Sequence, residues 1–165
     1  MAERAWIRGA KRGSVSDFER LFREHWPRAY RAARLVTGDD AAAEDIAQEA
    51  FLAAVRNLDR FDLRRPFAPW LHRIVVNRAI DWTRARNLRR EVELGEHLPG
   101  PPEAEPADGT LARIGTLPPE QRAVVVLRYV LEYSPGEIAK LLDLPRGTVN
   151  SRLRRGLDRM KEAGE

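Results

Sequence analysis

The stretch SPGEIAKLLDLPRGTVNSRLRR, residues 134–155, decides the architecture of the C-terminal third of the chain. Ser134 and Glu137 have the spacing of a capping box, which marks the start of a helix. Leu142-Asp143-Leu144 predicts a tight turn, because Asp tolerates the left-handed backbone conformation better than most residues do. A second helix then follows Pro145. The stretch therefore predicts a helix-turn-helix.

The second predicted helix has an apolar face and a polar face. Val149, Leu153, Gly156, Leu157 and Met160 share one side of a helical wheel and are expected in the core. The outer and lateral positions carry side chains that suit DNA bases and phosphates. These are Arg146, Thr148, Asn150, Ser151, Arg154 and Arg155. The alternative is a three-helix bundle with a merely solvated arginine face, but the turn length and the register of the apolar positions favour DNA binding.

The composition of the 165-residue chain excludes several kinds of chemistry. Apolar residues recur at helical spacing and strand signals are scarce, so we expect an all-α fold. The absence of cysteine excludes disulfides, thiolate metal sites and cysteine nucleophiles. The three histidines lie far apart and lack metal-ligand spacing, so we expect no catalytic residue, no metal and no cofactor. No run approaches membrane-spanning length and no signal peptide is evident, which predicts a cytoplasmic protein without membrane insertion.

Proline content and charge divide the chain into two parts. The segment 91–109 contains four prolines, and its acidic residues are not balanced by any Lys or Arg. Proline stiffness and like-charge repulsion predict an extended linker. The alternative, a long loop within one domain, is uncommon in compact domains. We therefore expect an N-terminal domain at 1–90, a linker at 91–109 and a C-terminal domain at 110–165.

The N-terminal part is predicted to contain three helices. The first begins at Ser16, with Glu19 completing a capping box, and ends at Gly38. The second runs from about residue 41 to 59, and the third from about 67 to 89. The second helix should bury one apolar stripe, made of Ile46, Ala47, Ala50, Phe51, Ala54, Val55 and Leu58. On the third helix, Arg78 and Asp81 have the spacing of a structural ion pair.

A basic block with aromatic residues occupies residues 60–90. It contains nine arginines against two acidic residues. Together with the basic C-terminal helix, it suggests two contacts with a polyanion. Exposed aromatic rings could stack on unpaired bases while arginines follow the backbone. The alternative is that the rings belong to the core, which is favoured for Trp70, whereas the loop 61–67 is expected to offer an accessible base pocket.

The pattern as a whole resembles a bacterial sigma factor of the extracytoplasmic-function group within the sigma-70 family. Three stretches carry the resemblance: DIAQEAFLAAVRNLDRF, RPFAPWLHRIVVNRAIDWTRAR and LPPEQRAVVVLRYVLEYSPGEIAKLLDLPRGTVNSRLRR. Many relatives have glycine where Asp143 stands, and lysine is common where this chain has Asn150. The second departure leaves the base preference open. Many members of the group are held inactive by an anti-sigma factor, which makes one a candidate partner.

The resemblance implies three binding surfaces. One surface of the second helix would dock on core RNA polymerase, although its charge pattern alone favours ordinary solvation. That surface comprises Asp45, Gln48, Glu49, Leu52 and Arg56. A second surface would melt and bind the minus-ten element as a single strand, and comprises Phe61, Leu63, Arg64, Arg65, Phe67, Arg73, Asn77 and Arg84. The helix-turn-helix would bind duplex minus-35 DNA through the six polar side chains named above.

Two other functions compete with this interpretation. A stand-alone helix-turn-helix transcriptional regulator would account for residues 134–155 but leaves the basic block 60–90 unexplained. A nuclease would need clustered carboxylates or histidines to hold a metal, and the sequence shows no such cluster. The sequence therefore favours a sigma factor over both.

Overall fold

The computed structural model describes residues 2–94 and 109–164. Within those ranges all regular secondary structure is helical, in agreement with the predicted all-α class. The N-terminal half contains helices α1 (Ala2–Lys11), α2 (Val15–Thr37), α3 (Asp40–Arg56) and α4 (Phe67–Leu94). The C-terminal half contains α5 (Gly109–Gly115), α6 (Pro119–Val125), α7 (Pro135–Leu142) and α8 (Arg146–Glu162). A 3₁₀ turn, Leu58–Arg60, follows α3, and a π-helical turn, Val126–Val130, extends α6.

The start of the long helix α2 differs from the prediction. Its N-cap is Ser14, whose side chain accepts a hydrogen bond from the Asp17 amide, so the predicted capping box at Ser16 is wrong. Ser14 has extended backbone angles whereas Ser16 is already helical. The unpredicted helix α1 precedes this cap and buries Ile7.

Helix α2 ends at Gly38, as predicted. Gly38 adopts a left-handed conformation, with φ of 69°, and its amide bonds the Arg34 carbonyl at 2.8 Å. Asp39 then caps α3 by accepting a hydrogen bond from the Ala42 amide at 2.9 Å. Glycine carries no steric penalty at positive φ, and an aspartate side chain satisfies a free amide at a helix start. These two residues therefore reverse the chain and place α3 beside α2.

The apolar stripe predicted for the second helix is buried with one exception, and its last residue, Leu58, lies in the 3₁₀ turn after α3. Val55 is 42% exposed, so its assignment to the core is wrong. It follows Leu52 by three positions, which places both side chains on the outer face of the helix. The other six residues of the predicted stripe are buried.

Helix α4 is buried against neighbours on more than one side. Leu71, Val75 and Val76 are fully buried, which explains why its apolar residues are not confined to one stripe. Arg78 does not pair with Asp81 as predicted, because Glu49 on the adjacent α3 lies 3.0 Å from its guanidinium. The helix continues to Leu94, so residues 91–94, which we assigned to the linker, are helical. Linker residues 95–108 lie outside the described residues.

The two halves of the chain pack against each other, an arrangement that the sequence did not predict. Arg122 of α6 is 9% exposed, and it donates hydrogen bonds to the carbonyls of Val36, at 2.6 Å, and of Leu117, at 2.9 Å. Arg28 of α2 donates to the Leu131 carbonyl at 3.2 Å. Buried side chains of both halves belong to one continuous cluster. The contact is therefore formed by apolar packing and by arginines that satisfy backbone carbonyls across it.

A histidine and a tyrosine meet at the centre of this contact. His72 of α4 is 1% exposed, and its Nδ1 forms a 2.6 Å hydrogen bond with the hydroxyl group of Tyr133. Burial lowers the pKa of His72 to about 4, and the nearby Arg28 and His25 side chains act in the same direction. Burial raises the pKa of Tyr133 to about 12. Both groups are therefore neutral at neutral pH.

We expect the fold to lose stability on mild acidification because of His72. An unfolded histidine binds a proton near pH 6.5, whereas the folded His72 does so only near pH 4. Its contribution is therefore complete above the unfolded pKa and is lost as the pH falls from about 6.5 to about 4. In urea unfolding, the free energy of unfolding should be lower near pH 5 than near pH 7.5, and this group should account for about 2 kcal/mol of the difference. The stability of the variant His72→Gln should depend less on pH than that of wild type. An equal pH dependence in both proteins would show that the effect does not come from His72.

Candidate nucleic-acid interface

The first helix of the helix-turn-helix starts at the predicted capping box. The side-chain oxygen of Ser134 accepts a hydrogen bond from the Glu137 amide at 3.2 Å, and the Glu137 carboxylate accepts one from the Ser134 amide at 3.0 Å. Pro135 occupies the first turn, where its missing amide hydrogen costs nothing. The N-terminal end of α7 is therefore fixed by its own sequence.

The turn between α7 and α8 also agrees with the prediction. Asp143 has φ of 54° and ψ of 53°, which is the left-handed conformation. The Leu144 amide bonds the Ala139 carbonyl at 2.9 Å and closes the turn. Pro145 follows, and α8 begins at Arg146. This short connection determines the orientation of α8 relative to α7.

Helix α8 presents its polar residues outward. Val149 and Leu153 are buried, and Gly156 lies so close to α6 that an added Cβ would come within 3.0 Å of Val125. The six predicted DNA-contacting residues all keep some exposure. Arg146, Asn150, Arg154 and Arg155 are exposed, and Thr148 and Ser151 are half-buried. Because Gly156 allows close packing, α8 is held firmly against α6 with this face outward.

The loop before α4 is stabilised by its own acidic residue. The carboxylate of Asp62 accepts hydrogen bonds from the backbone and side chain of Arg64, at 2.9 and 3.1 Å. These hydrogen bonds lower the pKa of Asp62. The Arg64 side chain is nevertheless 90% exposed, and Arg65 is exposed as well. The loop is therefore an ordered turn that presents two guanidinium groups.

The two phenylalanines of this loop are not exposed, so our expectation of accessible rings there is wrong. Phe61 and Phe67 are 6% and 2% exposed. Their ring centroids lie 5.8 Å apart, and Phe61 lies 4.8 Å from Trp70. Packing against the core of the N-terminal half outweighs the polar sequence around them. The phenylalanines support the loop, and Leu63 and Trp70 are the half-buried apolar residues near its surface.

The outer face of α4 carries the other predicted minus-ten residues. Arg73 and Asn77 are exposed one helical turn apart. Arg84 follows two turns later on the same face, but its Nε donates a 2.7 Å hydrogen bond to Glu120 of α6. The structure therefore leaves Arg73 and Asn77 open to a ligand, while Arg84 contributes to the contact between the two halves.

The predicted polymerase-docking face of α3 is fully exposed. Asp45, Gln48, Glu49, Leu52 and Arg56 all lie on the surface. Leu52 is 53% exposed and, with the neighbouring Val55, forms an apolar spot among polar side chains. The sequence missed Val55, although its three-residue spacing from Leu52 could have indicated it.

The part of the chain that the structure describes contains neither a candidate metal-binding group nor a candidate membrane-spanning helix. Residues 2–94 and 109–164 contain no group of three or more His, Asp or Glu side chains that could hold a metal ion. In the same ranges, no helix is long and apolar enough to cross a membrane.

Comparison with known proteins decides the family. The protein-family model described as "Sigma-70 region 2" matches residues 21–89. The family model described as "Sigma-70, region 4" matches residues 110–160. The ECF RNA polymerase sigma factor SigW of Bacillus subtilis strain 168 is 34% identical over 175 residues, which cover 94% of this chain and 93% of SigW. The chain belongs to the extracytoplasmic-function group of the sigma-70 family. As a sigma factor, it binds core RNA polymerase and directs promoter recognition and transcription initiation.

Solved structures share the fold of this sigma factor. The sigma factor CnrH of Cupriavidus metallidurans is 32% identical over 171 residues, which cover 93% of this chain and 90% of CnrH. The structure of CnrH in complex with the cytosolic domain of CnrY aligns with a TM-score of 0.74 at 29% identity, over 98% of this chain and 96% of that one. The sigma factor RpoE of Bartonella quintana, solved with the anti-sigma factor NepR, has a TM-score of 0.72 at 22% identity, over 90% and 97% of the two chains.

Proposed function

We propose that this sigma factor contacts its promoter through two separate surfaces. Helix α8 would enter the major groove of the minus-35 element with its six outward polar side chains. The loop 61–67 and the outer face of α4 would hold the unpaired minus-ten strand. The observation that carries the proposal is that each basic surface lies within its own family match, residues 110–160 for α8 and residues 21–89 for the loop and α4.

The chain organisation proposed from the sequence fits these two tasks. We divide it into residues 1–90 for core polymerase and minus-ten binding, an acidic linker at 91–109, and residues 110–165 for minus-35 binding. Residues 91–94 of that linker continue α4, and Gly109 begins α5. Core polymerase would hold both surfaces at a set spacing, so that the second DNA contact becomes effectively intramolecular. Groove contacts of about 1–3 kcal/mol each would supply sequence preference upstream. Capture of unpaired bases would offset an unstacking cost of a few kcal/mol.

The partners follow from the same assignment. Core RNA polymerase is the expected ligand of the exposed face of α3, and promoter DNA is that of the two basic surfaces. An anti-sigma factor is a further candidate partner. CnrH was solved with the cytosolic domain of CnrY, and the Bartonella RpoE was solved with the anti-sigma factor NepR, which supports the last proposal. We infer a cytoplasmic protein with no catalytic activity of its own. The stand-alone regulator has no comparable support, because it gives no role to the region 2 match.

The docking surface on α3 is tested by charge reversal. Asp45→Lys combined with Glu49→Lys should weaken binding to core polymerase by about tenfold or more, because both carboxylates lie on the exposed face. Competition with wild-type sigma factor for a limiting amount of core polymerase measures the loss. The fold should persist, since the Glu49–Arg78 pair is exposed and such pairs contribute only about 0–1 kcal/mol.

A matched control separates docking from net charge. Glu19→Lys combined with Glu24→Lys makes the same change on the exposed side of α2. This control should compete as well as wild type. If the α3 variant also competes as well as wild type, the polymerase does not dock on this face.

A further inference from the structure

A groove lies between the two halves, beside the loop that precedes α4. Its volume is about 510 Å³, within the range of about 300–1,000 Å³ usual for small-molecule sites. Arg65 and Trp70 line it from the N-terminal half, and Tyr133 and Lys140 line it from the helix-turn-helix half. The groove therefore exists only while the two halves are packed together.

The groove is lined by cations that have no acidic partner in the described part of the chain. Arg60, Arg65, Arg73 and Lys140 line it, and none forms an ion pair with residues 2–94 or 109–164. Two acidic residues, Asp62 and Glu137, also line the groove, and both are already engaged. Asp62 pairs with Arg64, and Glu137 accepts the hydrogen bond that caps α7. Four cations against two carboxylates leave the groove with a net positive charge, which favours an anion with several acceptor oxygens.

The other walls of the groove are apolar and aromatic. Trp70 is half-buried and rests on the ring of Phe61. Tyr133, also half-buried, is held on the opposite side by its hydrogen bond to His72. Aromatic rings beside arginines are a common binding site for a nucleotide, because its base stacks on the rings while its phosphates contact the cations. An inorganic anion alone would leave these aromatic walls without a partner.

We propose that this groove binds a nucleotide in the free sigma factor. The phosphates would meet the four cations, and the base would lie against the rings of Trp70 and Tyr133. Since the site uses side chains from both halves, bound nucleotide would stabilise the packed arrangement by mass action. A free nucleotide and an unpaired DNA strand would both offer the groove a base together with phosphates. Lys140 distinguishes them, because the proposed minus-ten surface lies wholly on the N-terminal half.

Calorimetric titration of the full chain with adenosine diphosphate tests the site. Pyrophosphate lacks the base and adenosine lacks the phosphates, so each should bind at least about tenfold more weakly than the diphosphate. Lys140→Ala should weaken the diphosphate at least about tenfold, as expected for the loss of one charge-assisted hydrogen bond. Lys161→Ala, at the exposed end of α8, is the matched control and should bind as wild type does. Circular dichroism confirms that both variants are folded.

A single-stranded DNA oligonucleotide, titrated in parallel, separates the two sources of the ligand. Lys140→Ala should leave its affinity unchanged while it weakens that of adenosine diphosphate. The proposal is overturned if wild type shows no saturable binding of the diphosphate, or if pyrophosphate binds equally well. It is also overturned if Lys140→Ala binds the diphosphate as tightly as wild type. An equal loss for oligonucleotide and diphosphate would assign the groove to the DNA strand instead.

Discussion

Replacing Leu63, Arg64 and Arg65 with alanine is expected to abolish promoter opening while the upstream footprint of the holoenzyme persists. The ordered turn at Asp62 presents two exposed guanidinium groups and a half-buried leucine. Arginines can hold the phosphates on either side of an unpaired base, and an apolar side chain can cover the base. Permanganate reactivity of thymines around the start site measures opening directly.

The control for this variant removes two arginines elsewhere. Arg8→Ala combined with Arg12→Ala acts on exposed residues at and just after the end of α1, and should leave thymine reactivity at the wild-type level. Phe61 and Phe67 are unsuitable test positions, because they are buried and their truncation would destabilise the core. Wild-type reactivity in the triple alanine variant would place melting elsewhere, on the face of α4 from Arg73 to Arg84.

Loss of the α8 arginines should produce the second large effect, on upstream DNA binding. Arg154→Ala and Arg155→Ala should each weaken promoter binding by the holoenzyme, by about tenfold for a contact of about 1.4 kcal/mol. Both side chains are exposed, so the fold should persist. An arginine that contacts phosphate should also lower the salt dependence by about one unit of slope. Filter binding or anisotropy at several salt concentrations supplies both quantities.

Two neighbouring residues should act on sequence preference instead of overall affinity. Asn150 is exposed and Ser151 is half-buried on the same helix. Their replacement by alanine should change which upstream bases are preferred, because asparagine and serine can bond base edges. Arg8→Ala is again the control. A minus-35 footprint that survives all four substitutions would exclude α8 as the reading helix.

The parts of the fold that follow from local signals could be predicted from the sequence. Ser134 with Glu137, Asp143 and Gly38 each act through hydrogen bonds or backbone angles of a few adjacent residues. Such signals depend little on the rest of the molecule. The outward placement of the polar residues of α8 followed in the same way, from the register of Val149 and Leu153.

The features that the sequence missed depend on tertiary packing. Several acidic residues at different separations along the sequence could form an ion pair with Arg78. Glu49 is its partner because α3 lies beside α4. Phe61 and Phe67 stand among charged residues, yet they are buried because Trp70 lies against them. The pairing of His72 with Tyr133 joins residues from the two halves of the chain. No local pattern could have placed Tyr133 and Lys140 beside the loop 61–67.

The most direct test of the account is transcription in vitro with core RNA polymerase on a library of genomic promoter fragments. We predict that the full chain directs core polymerase to start at a defined subset of fragments, and that core polymerase alone does not. The triple alanine variant of the loop should still bind those fragments but yield no transcript. Transcription that is unchanged by the sigma factor, or a chain that fails to associate with core polymerase, would contradict the account.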